Sequence, residues 1–346
     1  MRVFNFFWML ILLLSFTSCS KKNDTTTTPV NPPPPPSPPA AVSNTKVYVA
    51  GYTISGNNSS AVYWINDSLI TLQGANASSE AITVSGNDIY VAGNVNDSLG
   101  YWKNNQFVSL FKASAGYQIS IAVSGSDVYV AGNVLSNGNS VATYWKNGTK
   151  INLTTDTINA EANAIAVSGS DVYVAGIVGN EAVYWKNGIE TPLTDGSRMA
   201  YANAIAISGS DIFVAGGEND ASGTHLLAEY WKNGTSYLVS DTSHTAVLFG
   251  MAVSGKNVYV SGYDKYGPTG SSNPFLAAYW SNGMLSLLTN NFGVASSVAA
   301  DSAAVYVAYS GPYSGNNALA LYAKNGLSHL LPAGSISATA YGIFLK

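Results

Sequence analysis

Ala164-Ile165-Ala166-Val167-Ser168-Gly169-Ser170-Asp171-Val172-Tyr173-Val174-Ala175-Gly176 leads, through a short loop, to Ala182-Val183-Tyr184-Trp185-Lys186-Asn187-Gly188. Two apolar runs flank Ser-Gly-Ser-Asp, where glycine supplies the positive φ of a tight turn. A third run ends in Asn-Gly, the strongest short hairpin signal, and a fourth short strand runs to about Leu193. The phrase therefore reads as four antiparallel strands. It recurs seven times, its second strand starting at Val47, Ile89, Val128, Val172, Ile212, Val258 and Val305. The intervals of 42, 39, 44, 40, 46 and 47 residues match a propeller blade, a four-stranded unit repeated every 40–50 residues.

The second strand is apolar at nearly every position, which marks burial on both faces. Blades stacked around an axis meet that condition, whereas a two-sheet sandwich would show polar outer faces. The small alanines of the first strand suit the crowded centre. At the start, Val47 has no first strand before it; at the end, Tyr341-Gly342-Ile343-Phe344-Leu345 aligns with the missing piece. The expected fold is all-β: a seven-bladed β-propeller over residues 46–346, closed by a C-terminal strand that completes the first blade and removes exposed sheet edges.

Residues 1–45 read differently. Arg2 precedes the mostly apolar run Phe6 to Phe16, too short to cross a bilayer and fit for a signal-peptide core. It ends at Cys19, the only cysteine in the chain, so no internal disulfide and no cysteine-based metal site forms. Phe16-Thr17-Ser18-Cys19 resembles a bacterial lipobox, with Phe16 where leucine is usual. The resemblance implies a signal peptide over 1–18, a diacylglyceryl group on Cys19 and residence on the outer membrane, surface-exposed or periplasmic. Residues 19–45 form a Thr/Pro-rich tether. The run Pro32 to Pro36 favours polyproline II, and ~20 residues in that state reach about 60 Å.

The repeat itself, with Ala-Ile-Ala, Val-Tyr-Val-Ala-Gly, Ala-Val-Tyr-Trp and Asn-Gly, resembles the bacterial extracellular HAF repeats from Val47 almost to the end. It lacks the Gly-His and Trp-Asp pairs of WD40 blades. The resemblance implies an exported repeat protein and brings no common activity with it.

Only 10% of the 346 residues are charged and the net charge is −4. Without clustered Lys and Arg, nucleic acid is excluded as a partner. The recurring Trp64, Trp102, Trp145, Trp185, Trp231 and Trp280 read as inter-blade core; Ala323 stands at that place in the last repeat, where a weaker contact is expected. Asp88, Asp127, Asp171 and Asp211 recur in the first turn and read as turn chemistry rather than an acidic ring.

Function concentrates on long loops over rigid scaffolds. The second-to-third and fourth-to-first connections share one face, and the longest lie in the last three repeats. Tyr263, Asp264, Lys265, Tyr266, Phe275, Tyr309 and Tyr313 are the candidate ligand-binding residues, flat rings beside polar groups that suit a sugar. The same rings also serve simply to pack the loops. His225, His244 and His329 have no metal-ligand spacing, and no nucleophile elbow or phosphate loop occurs. Glu218, Asp220, Asp241 and Asp264 are candidates for a glycosidic carboxylate pair. Residues 218–223 lack the alternating oxygens of a calcium loop. Neither cofactor nor metal is expected. Three readings stand: an anchored module binding a glycan or envelope protein, a polysaccharide hydrolase or lyase, and a structural envelope protein.

Overall fold

The computed structural model describes residues 45–112, 118–265, 275–311, 318–333 and 337–346. The signal peptide, Cys19 and nearly all of the tether lie outside them.

All seven repeats form four-stranded antiparallel sheets, and the described residues contain no helix. Blade 4 is typical: its strands are Ala160–Ser168, Asp171–Val178, Glu181–Lys186 and Ile189–Pro192, in spatial order from the axis outward. Numbering follows the chain, so blade 2 begins at Ala77, blade 3 at Ser120, blade 5 at Ala200, blade 6 at Ala246 and blade 7 at Val294. In blade 1 the inner strand is the C-terminal Ser337–Leu345, paired with Val47–Ser55 from Val47↔Leu345 to Ile54↔Ser337. Lys46 and Lys346 exchange backbone hydrogen bonds beyond that ladder, at 2.6 and 3.0 Å. The expected closure is therefore present.

Each tryptophan is buried against the preceding blade. Trp185 packs on Tyr129, Ala131 and Tyr144 of blade 3, and Trp64 closes the circle against Tyr306 and Tyr322 of blade 7. Indole N–H groups reach carbonyls in inter-blade connections, Trp64 to Pro332 at 2.8 Å and Trp102 to Gln73 at 2.7 Å. Glycine makes room for the ring: a Cβ on Gly176 would lie 2.9 Å from Cζ3 of Trp185 and 1.8 Å from the Glu161 carbonyl oxygen.

Blade 7 solves the same packing problem differently. The glycine that ends Val-Tyr-Val-Ala-Gly is replaced by Tyr309, and the tryptophan by Ala323. The weaker contact expected at Ala323 is thus corrected: the Tyr309 ring, 1% exposed, packs with Ala323, Leu321 and Tyr279. Its hydroxyl bonds to the Ser328 hydroxyl, which lies opposite Ala323. Large and small residues have exchanged strands, and the volume is kept.

The two short turns of each blade clasp one another. In blade 4, Asp171 pairs with Lys186 at 2.9 Å and accepts from Asn187 at 2.8 Å. Asn187 Oδ1 accepts from the Val172 amide at 2.9 Å, and Lys186 Nζ lies 5.3 Å from the Tyr173 ring centre. Blades 2, 3 and 5 repeat the arrangement through Asp88–Lys103, Asp127–Lys146 and Asp211–Lys232. The asparagines lower the carboxyls of Asp88, Asp127 and Asp171 below the usual range, with the lysines adding to it; for Asp211 the lysine leads. Lys146 is pushed up to about 12, chiefly by Asp127. These aspartates are turn residues that also hold the neighbouring hairpin.

The exchange in blade 7 is testable by a double-mutant cycle. Tyr309→Gly should cost about 3–5 kcal/mol through the cavity it opens. Ala323→Trp alone should cost about 1–3 kcal/mol by overpacking. The double variant restores the tryptophan–glycine pair of the other blades, so urea unfolding should show recovery of most of the loss. Simple addition of the two penalties would refute the exchange.

Candidate functional site

The inner strand carries an irregularity that the repeat pattern hides. In six blades its register against the second strand slips by one residue, a β-bulge. The extra residues are Tyr341, Glu80, Asn163, Asn203, Phe249 and Ser296. Blade 3 has a shorter inner strand, and Ile119 holds the equivalent place just before it. All seven line one cavity of about 350 Å³ on the propeller axis. In these six blades the bulge turns one side chain toward the cavity, and Ile119 supplies the place in blade 3.

Glu80 is the only charged side chain among the lining residues. Its carboxylate accepts from the Ile119 amide at 3.3 Å. Burial pushes its carboxyl up to about 7, with the Ile119 amide opposing. Tyr341 stacks on Tyr52 with ring centres 5.8 Å apart, and burial first, then Tyr52 and Glu80, raise its phenol above the usual range. Asn163 donates to the Ala202 carbonyl at 3.2 Å, and Asn203 to the Leu248 carbonyl at 2.9 Å. The two carboxamides thereby bridge consecutive blades.

From this cavity a row of rings runs outward over blade 6. Phe249 lies 5.9 Å from Tyr263, Tyr263 lies 4.6 Å from Phe275, and Phe275 lies 6.2 Å from Phe292, centre to centre. Lys265 Nζ sits 5.7 Å from the Phe275 ring centre. Three of the expected ligand-binding residues, Tyr263, Lys265 and Phe275, therefore share one place. Tyr266 and Tyr313 fall outside the described residues.

Two expectations are corrected by burial. Tyr309 is core between blades 6 and 7, as its exchange with Ala323 requires, and offers no ring to the loop face. Asp264 is 1% exposed, with Oδ1 3.0 Å from Nδ1 of the buried His244. Burial raises its carboxyl, the charge of His244 opposes, and Asp241 adds to the rise. A group so enclosed supports the loops and does not meet a polymer.

The other candidate acids are engaged locally. Glu218 pairs with Arg198. Asp220 accepts from Ser222 at 2.8 Å and the Thr224 amide at 2.9 Å, with His225 Nδ1 3.0 Å away. These bonds, that from Ser222 foremost, hold it well below the usual carboxylate range. Asp241 accepts from the Ser243 amide at 2.7 Å. Among the described residues no group of three or more His, Cys, Asp or Glu side chains is placed to hold a metal, and no helix is long and apolar enough to cross a membrane.

The fold defines a class, the seven-bladed β-propellers. No family model matches the chain, and no curated protein matches its sequence. Among solved structures it is similar to a Mycobacterium tuberculosis puromycin-hydrolyzing peptidase, at 11% identity and a TM-score of 0.52, over 82% of this chain. The chain spans about half (52%) of that protein's length. It is also similar to TolB from Acinetobacter baumannii (11% identity, TM-score 0.42, 85% of this chain and 83% of that one). A third likeness is to oligopeptidase B from Trypanosoma brucei (8% identity, TM-score 0.46, 83% and 48%). At these identities the likeness is one of fold.

Glu80 gives the fold a pH signature. Its folded-state carboxyl lies above the usual 4.5, at about 7, so the native state prefers the protonated form. The associated stability is fully present below pH 4.5 and lost as pH rises through 7. Between these limits the wild-type melting temperature should fall relative to Glu80→Gln, which does not titrate. Parallel curves for the two proteins would show that Glu80 titrates normally.

Proposed function

We propose that the protein is a ligand-binding module of the bacterial envelope, held to the outer membrane by a lipid on Cys19, and that it takes a glycan on its long-loop face. The observation that carries this reading is the row Phe249, Tyr263, Phe275 and Phe292, which leads from the axial cavity across blade 6. Apolar ring faces with a few polar groups, here Lys265 and the cavity carboxamides, are the usual make-up of a site for a small or polymeric ligand. A rigid scaffold keeps the rings in place, so little ordering cost falls on binding. A hydrolase reading has less support, since the cavity contains a single carboxylate and the buried Asp264 is out of a polymer's reach. The anchor reading rests on the lone cysteine behind a short apolar run and ahead of a Pro-rich tether.

Screening the purified protein against a broad polysaccharide and glycan array tests the first part. A reproducible hit should weaken on Tyr263→Ala by about tenfold or more, the loss of one aromatic anchor (~1.4 kcal/mol or more). A hit unaffected by this change would move the site off the aromatic row, and no hit at all would turn the search to an envelope protein. Membrane fractionation tests the second part. Cys19→Ala should release the protein from membranes, whereas retention would refute the lipid anchor.

A further inference from the structure

The axial cavity presents an electrostatic imbalance. One carboxylate, Glu80, sits among Ala, Ile, Met, Phe and Tyr side chains and neutral polar groups, and no Lys, Arg or His is among the lining residues. Glu80 is half-buried at the cavity wall, and a carboxylate that loses part of its hydration gains from a cationic partner. Here the protein supplies one amide, from Ile119, at 3.3 Å. The titratable group beside Glu80 in the cavity is the phenol of Tyr341, which carries no positive charge. No ion pair is described for Glu80, and its carboxylate lines the cavity. Tyr341 stands on the adjoining blade and Phe249 on a blade across the channel, so aromatic rings border that space on two sides.

We propose that the axial cavity is a binding site for a small organic cation, a protonated or quaternary amine, with its charge on the Glu80 carboxylate and its carbon atoms against Tyr341 and Phe249. An ammonium head gains from both elements, the carboxylate through charge and the ring faces through cation–π attraction, which is strongest when water is excluded. Asn163, Asn203 and Ser296 offer neutral hydrogen-bonding groups for the rest of the molecule. A volume of about 350 Å³ admits a ligand of a few to about a dozen heavy atoms and excludes a polymer. An anionic ligand would face Glu80 with no cation to offset it. The site adjoins the proposed glycan row and shares Phe249 with it, but each has its own distinguishing residue: Glu80 lines the cavity, and Tyr263 is not among the lining residues.

Binding carries a proton signature. A cation stabilises ionised Glu80, so at pH 6 it should expel a proton from the carboxyl, and affinity should rise as pH climbs toward 8. Isothermal titration of the full-length protein with choline, tetramethylammonium and methylammonium chlorides, at constant ionic strength, tests this. The neutral control is 3,3-dimethyl-1-butanol, which has the shape of choline without its charge. At least one cation should bind saturably and about tenfold or more tighter than the neutral control, with proton release at pH 6 seen as a dependence of the heat on buffer ionisation enthalpy. Glu80→Gln should reduce affinity about tenfold or more and abolish proton release. Phe249→Leu, which keeps the bulge filled, should weaken binding and leave proton release intact. Equal binding of the neutral control, unchanged binding by a folded Glu80→Gln, or no saturable binding of any of the three cations would overturn the proposal. Retained cation binding in Tyr263→Ala, with glycan binding lost, would show that the cation reading stands independently of the glycan reading.

Discussion

A blade cannot stand alone, because both of its faces are apolar. The second strand of blade 4, buried from Val172 through Ile177, needs cover on each side, and only another blade provides it. That constraint propagates around the molecule. Each tryptophan covers the blade before it, Gly176 leaves room for the Trp185 indole, and the last interface must meet the first. The inner strand of blade 1 comes from the other end of the chain for the same reason: Val47–Ser55 would otherwise present an unpaired edge at the axis. Stability here is a property of the ring, as in other repeat arrays where neighbours stabilise one another.

The architecture was legible from sequence because it depends on period and turn chemistry. Asn-Gly and Ser-Gly-Ser-Asp at fixed offsets mark the hairpins, and the asparagines adopt the positive φ that such turns require, 52° at Asn187 and 50° at Asn147. The candidate site was legible only in part. Tyr263 and Phe275 stood out because they do not repeat, and they do meet. Tyr309 stood out for the same reason, yet it departs from the repeat to fill a core that Ala323 leaves empty. Absence of a pattern marks function and compensation alike, and only the partner position distinguishes them. Asp264 lies elsewhere than expected because it ends the second strand of blade 6 instead of opening the loop, and His244 of the neighbouring connection lies against it.

Glu80 and its ring are not legible in the repeat pattern, for a physical reason. A strand read as alternating places every second residue inward, and a bulge breaks that parity at one point. The residue at this place varies from Glu80 to Ile119, Asn163, Asn203, Phe249, Ser296 and Tyr341, while the one after it is always Ala, Ser or Gly. A variable position inside a constant strand is the available signal. It says that packing does not dictate the side chain there, which is what residues at an axis with free space should show.

The pairing of Lys46 with Lys346 has a topological consequence. In other blades the corresponding inner and second strands are joined by a four-residue turn such as Ser168-Gly169-Ser170-Asp171. Blade 1 has the same hairpin with the turn cut, and Lys46 and Lys346 lie side by side where it would be. Seen this way, the propeller is a circle of seven equivalent hairpins opened at one place. Within the propeller, linking Lys346 to Lys46 by a few residues and cutting another short turn instead should keep the same strand pairs. The order in which the blades are read along the chain would change, and the object they build would not.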